Sequence, residues 1–502
     1  MIEKERGFQR GEEVVVEITG VTDRGLGRAE IEALVGPQKE HAVYEIFVRK
    51  AIPGDTVRVC FEHVRRRRCT GYYVELIEAS PLRIEPRCPH FGQRHISGQG
   101  CGGCTYQTMR YRHQLAIKER RIKDHFKEAG LDTGLVLPLK AMEEPWHYRN
   151  KMEFSFGDTA DREFALGMHP TGYSYEIVNL DTCLLPSPFA ADFVPKLRQW
   201  AVERELRPFL KSSREGFLRM LTIREGQRTG ERMVELCTTA SETATMNSRE
   251  VPSKEIAEDF RRFALHTAEE LGESITTIYW TEKYVKKGET TQWIEHHLDG
   301  NEVLSEELHL PGERVLRFDI HPRAFFQPNT MGAEVLYREV IERAGLTKAG
   351  DRQVILDLYC GTGTIGMCVA PFAKQVFGIE MQRDAVENAR QNAEFNGIDN
   401  IEFFAGNVGD VLESEEFCKR CGEVDLVIVD PPRSGLLGDA IGELLQIGAP
   451  QIVYVSCNPS TLADNLVDLT DGGYDLQVVQ PIDLFPQTYH VECVAVLTAC
   501  CT

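Results

Sequence analysis

From residue 311 onward, short apolar runs alternate with helical spans, and this alternation constrains the fold more than any other feature of the 502-residue chain. The runs "VILDLYC", "QVFGIE", "IEFFAG", "VDLVIVD", "QIVYVSC" and "DLQVVQPIDLF" are too short for helices and rich in β-branched residues. Between them lie spans long enough for crossover helices, and "ECVAVLTAC" follows as a further strand. Such repetition predicts a doubly wound, mostly parallel, Rossmann-like sheet over residues 311–502. Sheets of this kind bind ligands beyond the carboxyl ends of their strands. The residues at those ends are therefore the ones to read.

The first strand runs into "ILDLYCGTGTIG", which spaces Gly361, Gly363 and Gly366 as G-x-G-x-x-G. Glycines there let backbone approach a ligand and start the next helix. Glu380 ends the following strand, 23 residues after Asp357, where a carboxylate can accept from two ribose hydroxyls. Taken alone, this suits a nicotinamide dinucleotide as well as any other nucleoside cofactor. A fourth strand ends in "DPPR" (Asp430 to Arg433), whose prolines stiffen the turn at the strand's carboxyl end. A fifth ends at Cys457, between "QIVYVS" and an Asn-Pro turn that opens a helix. A free cysteine is most often a small buried hydrophobe, but this one lies at a ligand-binding edge. Glu492 interrupts the apolar run "YHVECVAVL", where a carboxylate is costly unless it has a task.

The rest of the chain divides in two. Residues 1–80 alternate apolar and polar positions, with Gly, Pro and Asp at the turns, as in a five-stranded β-barrel of the oligonucleotide-binding type. Residues 81–310 predict an α+β domain, with helices over 106–130, ending at Gly130, and 253–273. The polar stretch 238–250 reads as an exposed loop. Residues 80–104 have no hydrophobic period and are rich in Gly, His and Cys, so something other than an apolar core must hold them. Cys88, Cys101, Cys104 and Cys183 stand out here, whereas Cys418 and Cys421 lack a partner pair and read as free surface thiols.

The net charge of −20 argues against indiscriminate nucleic-acid binding over the whole surface. Two basic clusters stand against it: Arg65 to Arg68, and residues 110–123 with six Lys or Arg against one Glu. No apolar run reaches membrane-spanning length, and the charged start "MIEKERGFQR" is unlike a secretory signal. A cytoplasmic monomer without membrane attachment is expected. In the cytoplasm structural disulfides are rare, so some of the fifteen cysteines should be ligands or nucleophiles.

Together "DLYCGTG", "VDLVIVDPPRSGL", "VSCNPSTLADNL", "HVECVAVL" and "RAFFQPN" resemble, in order, the motifs of the RNA (uracil-5-)-methyltransferase family. "GLGRAEI" and "IFVRKAIPGDTV" resemble the TRAM domain, an RNA-binding β-barrel, and this combination points to the 23S rRNA 5-methyluridine branch. The resemblance implies an enzyme that uses S-adenosylmethionine to methylate carbon 5 of a uridine. That carbon is a poor nucleophile until a thiolate adds to carbon 6, and a base must later remove the carbon-5 hydrogen. Carried over by position, the family makes Cys457 the nucleophile and Glu492 the proton acceptor. Gln327, Tyr359, Gly361, Gly363, Thr364, Glu380, Asn407 and Asp430 would hold S-adenosylmethionine, and Phe325 would lie near a flipped target base.

The same resemblance implies a 4Fe–4S cluster on Cys88, Cys101, Cys104 and Cys183. Twelve residues separate Cys88 from Cys101, a longer gap than is usual in the family, and they include His90 and His95. Zinc on a mixed Cys/His set is the alternative. A radical mechanism is disfavoured because its C-x3-C-x2-C spacing is absent. Two functional alternatives remain: a tRNA uridine-5 methyltransferase, and a non-catalytic RNA-binding or ribosome-assembly factor.

Overall fold

A computed structural model describes residues 2–4, 6–94, 100–286, 288–348 and 352–500; His95 lies outside them. Within these residues the chain forms three seven-stranded sheets and two separate hairpins.

The first sheet spans residues 2–78 and is built on long strands such as Gly27–Val35, Glu40–Arg49 and Thr56–Arg65. Gly27–Val35 alternates buried and exposed positions, which points Ala29, Ile31 and Ala33 at Ile46, Val57 and Phe61. Two short strands bring the count from the expected five to seven, because Ile2–Lys4 and Gly20–Val21 both pair with Gly27–Val35. The four arginines Arg65 to Arg68 form an exposed hairpin tip, with Arg65 opposite Arg68 and Arg66 in the left-handed region.

The second sheet runs from Lys151 to Gly300, with helices Pro188–Glu203 and Ser253–Glu270 packed on it through Phe193, Trp200 and Phe260. The segment expected as a loop at 238–250 is instead largely structured. Thr243–Met246 pairs with Arg249–Pro252, and Asn247 and Ser248 both take positive φ in the two-residue turn. Polar turns of that type fit the twist of a hairpin.

Helix Tyr111–Glu128 starts later than expected, since residues 101–109 are engaged elsewhere, and Gly130 at φ +78° ends it as expected. Its buried positions Gln114, Lys118, Arg121, Ile122 and Phe126 make one stripe. Ile122 and Phe126 join the same apolar core as Val427, Tyr454 and Leu466.

The third sheet has strand order Ile401–Ala405, Ala373–Glu380, Arg352–Leu358, Leu426–Val429, Gln451–Ser456, Glu492–Ala499, Tyr474–Ile482. The first five are parallel, and Glu492–Ala499 lies antiparallel to both its neighbours. Leu426 and Ile428 face one helical layer while Val427 and Val429 face the other. Burial on both faces explains why these strands read as unbroken apolar runs. The hairpin Leu304–Leu310 with Arg314–Ile320 shares the first of those layers, through Leu308, Leu316 and Phe318. No helix of the described residues is long and apolar enough to cross a membrane.

Candidate active site

Four neighbouring strands deliver their ends to one edge of the sheet. Arg352–Leu358 is followed by a turn in which Tyr359, Gly361 and Gly363 have φ of 62°, 54° and 74°. A side chain at Gly363 would set its Cβ 2.5 Å from the Phe403 ring, and one at Gly366 would lie 2.9 Å from Asp357 Oδ2. These glycines are needed for close approach within the fold as well as for a ligand. Asp357 Oδ2 accepts from Gly366 N at 2.8 Å, whereas its Oδ1 is buried without a partner. Burial pushes this carboxyl up to about 7.

Glu380 ends the adjacent strand and accepts from Gly361 N at 3.1 Å and Gln382 N at 2.9 Å. Thr362 Oγ1 donates to Phe325 O at 3.4 Å, which places the segment 323–329 against the glycine turn. Phe325 itself is 64% exposed, and Gln327 is half-buried with its carbonyl accepting from Asn150 Nδ2 at 2.8 Å. Thr364 begins the next helix, its hydroxyl 3.3 Å from that of Thr362. Asn407, exposed, caps the helix Val408–Leu412 by accepting from Gly409 N at 2.9 Å.

Asp430 follows Leu426–Val429, and burial pushes its carboxyl up to about 7. The order 401, 373, 352, 426 reverses direction between Arg352–Leu358 and Leu426–Val429, so the glycine turn and Asp430 flank the switch point. Glu380 and Asp430, both half-buried, flank the end of Arg352–Leu358, with the fully buried Asp357 behind them. A carboxylate at the position of Glu380 can accept from the hydroxyls of a nucleoside.

Cys457 follows Gln451–Ser456. Ser456 pairs with Cys493, so Cys457 and Glu492 stand at the next step of the same antiparallel register. Glu492 is 5% exposed on an interior strand; it is not a water-facing edge residue. Burial, and then the charge of Asp430, hold its carboxyl well above the ordinary range. The Cys457 thiol is pushed up to about 11 by burial and by Glu492, while Arg433 opposes the shift.

Arg433 was not singled out from the sequence, although its place three residues after Asp430 was the available signal. Its carbonyl accepts from Asn458 Nδ2 at 2.9 Å, so the turn after Asp430 is tied to the turn after Cys457.

The four cysteines of the central region also converge. Cys88, Cys101, Cys104 and Cys183 line one cavity of about 230 Å³ that reaches Arg149 and His490. Burial pushes the Cys104 thiol up to about 12 and raises the other three. Among the described residues, no group of three or more His, Cys, Asp or Glu is gathered as a site for a metal ion. His90 Nε2 accepts from Asp181 N at 3.0 Å, so that nitrogen is already engaged by backbone. Cys418 is exposed and Cys421 half-buried, and both are free.

The doubly wound sheet, with a glycine turn and carboxylates at its switch point, is the architecture of an enzyme that binds a nucleoside cofactor. The comparisons with known proteins carry this further. Residues 288–500 match the family model described as tRNA (Uracil-5-)-methyltransferase. An uncharacterized RNA methyltransferase of Clostridium tetani is 35% identical over 90% of this chain and 92% of its own. One from Protochlamydia amoebophila is 38% identical over 89% of this chain and 98% of its own. Among solved structures, a Pyrococcus abyssi tRNA (uracil-54, C5)-methyltransferase in complex with S-adenosyl-L-homocysteine is similar. It has a TM-score of 0.68 and 26% identity, covering 97% of this chain and 100% of that one. The chain belongs to the RNA (uracil-5-)-methyltransferase family, and it is an S-adenosylmethionine-dependent RNA methyltransferase.

Proposed function

We propose that the protein methylates carbon 5 of a uridine in 23S rRNA through a covalent Cys457–uracil adduct. The observation that carries this reading is the placement of Cys457 and Glu492 one step beyond the Ser456–Cys493 pair of an antiparallel register, beside the switch point of the sheet.

Gln327, Tyr359, Gly361, Gly363, Thr364, Glu380, Asn407 and Asp430 would hold S-adenosylmethionine, which supplies an electrophilic methyl group when bound. Cys457 Sγ bonds to carbon 6 and the ring's electrons move to carbon 5, which then takes the methyl group. A Glu492 carboxylate oxygen accepts the carbon-5 proton, and the returning electrons expel the thiolate. Burial makes the Glu492 carboxylate the stronger base, and Arg433 favours the ionised forms of both Glu492 and Cys457, which each must take before it acts. Phe325, exposed beside the glycine turn, offers a face for an extruded base.

In the same reading the residues 1–80 act as a TRAM barrel, with the hairpin tip Arg65 to Arg68 offered to phosphates, Arg68 leaving its pair with Glu45 to join them. The cavity of Cys88, Cys101, Cys104 and Cys183 takes a 4Fe–4S cluster. Four thiolates suit the charge of such a cluster, and tetrahedral zinc is the alternative.

A second reading, tRNA as substrate, is favoured by the whole-length likeness to the Pyrococcus abyssi tRNA enzyme. The test is methylation of unmodified 23S rRNA and tRNA transcripts with tritiated S-adenosylmethionine, comparing wild type with Cys457→Ala. Label in 23S rRNA as 5-methyluridine, lost in the variant, is expected. Label in tRNA alone establishes the second reading, and label in neither RNA overturns both in favour of a binding or assembly role.

A further inference from the structure

Lys50 follows strand Glu40–Arg49 of the N-terminal sheet, yet it is buried, at 5% exposure, against the cysteine cavity of the central region. Its Nζ donates to Cys104 O at 2.5 Å and Cys101 O at 3.1 Å, and lies 4.2 Å from the centre of the Phe91 ring. Among the described residues it forms no ion pair with a carboxylate, and burial pulls its pKa down. A buried ammonium without an anionic partner is costly, so this position makes electrostatic sense once the cysteines are thiolates. Around it the N-terminal sheet grips the same region. Arg49 O accepts from Gln93 Nε2 at 2.8 Å, Lys50 O accepts from Arg83 Nη2 at 3.2 Å, and Ile52 packs on Tyr106 and Met109.

We propose that Lys50 is the buried counter-charge of the four-cysteine site and the brace through which its occupant holds the N-terminal sheet on the catalytic unit. The inference rests on the cluster reading given above. Four thiolates around a 4Fe–4S core of charge +2 carry a net −2, and one-electron reduction makes this −3. A fixed positive charge at Lys50 stabilises the reduced form more, and so raises the potential. It is a positioning residue, since the methyl-transfer site lies elsewhere.

The test uses full-length protein purified without oxygen: wild type, Lys50→Met and Lys50→Arg. Iron and acid-labile sulfide per chain, the midpoint potential of the cluster, and hydrogen exchange over residues 49–55 and 101–109 are measured with and without iron–sulfide reconstitution. In wild type, reconstitution is expected to slow exchange over 49–55 at least tenfold. Lys50→Met should shift the potential to more negative values and abolish that slowing, and Lys50→Arg should restore both. Unchanged potential and exchange in Lys50→Met, at full iron content, would overturn the proposal. If wild type takes up no iron or sulfide, the cluster reading fails. The brace, which acts through the occupant, then falls with it.

Discussion

Lys118 and Asp483 form an ion pair with Nζ and Oδ1 2.5 Å apart, and neither side chain has any solvent exposure. The pair joins helix Tyr111–Glu128 to the loop that leads into Glu492. Four residues along the loop, Gln487 N donates to Gln114 Oε1 at 3.1 Å while Gln114 Nε2 donates to Gln487 Oε1 at 2.9 Å. Thr105 N and Tyr106 N both donate to Gln487 O, at 2.7 and 3.0 Å. The segment just after Cys104 and the loop just before Glu492 are thus one hydrogen-bonded unit.

Breaking the ion pair from one side leaves a charge stranded in the interior. Lys118→Met should destabilise the protein by about 3–5 kcal/mol, while the double change to Lys118→Met with Asp483→Leu should recover much of the loss. Urea denaturation followed by tyrosine and tryptophan fluorescence measures both.

Glu492→Gln keeps the shape of the site but removes the proton acceptor. Turnover should fall by roughly 10²–10⁴-fold, and the enzyme–RNA adduct should accumulate as a band that survives denaturing electrophoresis. Absence of that band in a variant with normal RNA affinity would assign the proton to another base.

With its thiol near 11, Cys457 is mostly protonated at neutral pH. Thiolate rises about tenfold per pH unit below the pKa. Alkylation of Cys457 by iodoacetamide, followed by peptide mass spectrometry, should therefore accelerate about tenfold per unit from pH 7 to 10. Arg433→Gln removes the charge that favours thiolate, so alkylation at a given pH should slow.

Two glycines of one turn should respond differently to the same change. Gly361→Ala meets no atom within 4 Å of the new Cβ and bears only the left-handed backbone cost of about 1–2 kcal/mol. Gly363→Ala must also displace the Phe403 ring. Calorimetric titration with S-adenosylmethionine should show at least tenfold weaker binding for Gly363→Ala than for Gly361→Ala.

The parts of the site that were legible in the sequence are those set by local pattern. Gly361 and Gly363, Asp430 and Cys457 each sit where a β-branched run stops, and strand ends in a doubly wound sheet meet by topology. Glu492 was visible because a carboxylate in an apolar run is anomalous, and the interior place of its strand explains the anomaly. What was not legible depends on distant pairing. Nothing near Gln487 in sequence announces Gln114, and Lys50 reads as one more lysine in a turn until the fold sets it on the cysteines. The hairpin at 243–252 was missed because its two strands are short and polar, so that register and turn geometry decide its form.

Strand Glu492–Ala499 enters the sheet between Gln451–Ser456 and Tyr474–Ile482, both of which precede it in the chain. During synthesis those two strands emerge first, with a one-strand gap between them. Until strand Glu492–Ala499 fills it, Cys457 has no proton acceptor beside it. A chain still on the ribosome can assemble the glycine turn, yet it carries an unguarded sheet opening and a thiol without its proton acceptor. Chemical competence therefore arrives as a late, all-at-once event of folding, and the exposed gap is the interval in which a nascent chain is most open to mispairing with another strand.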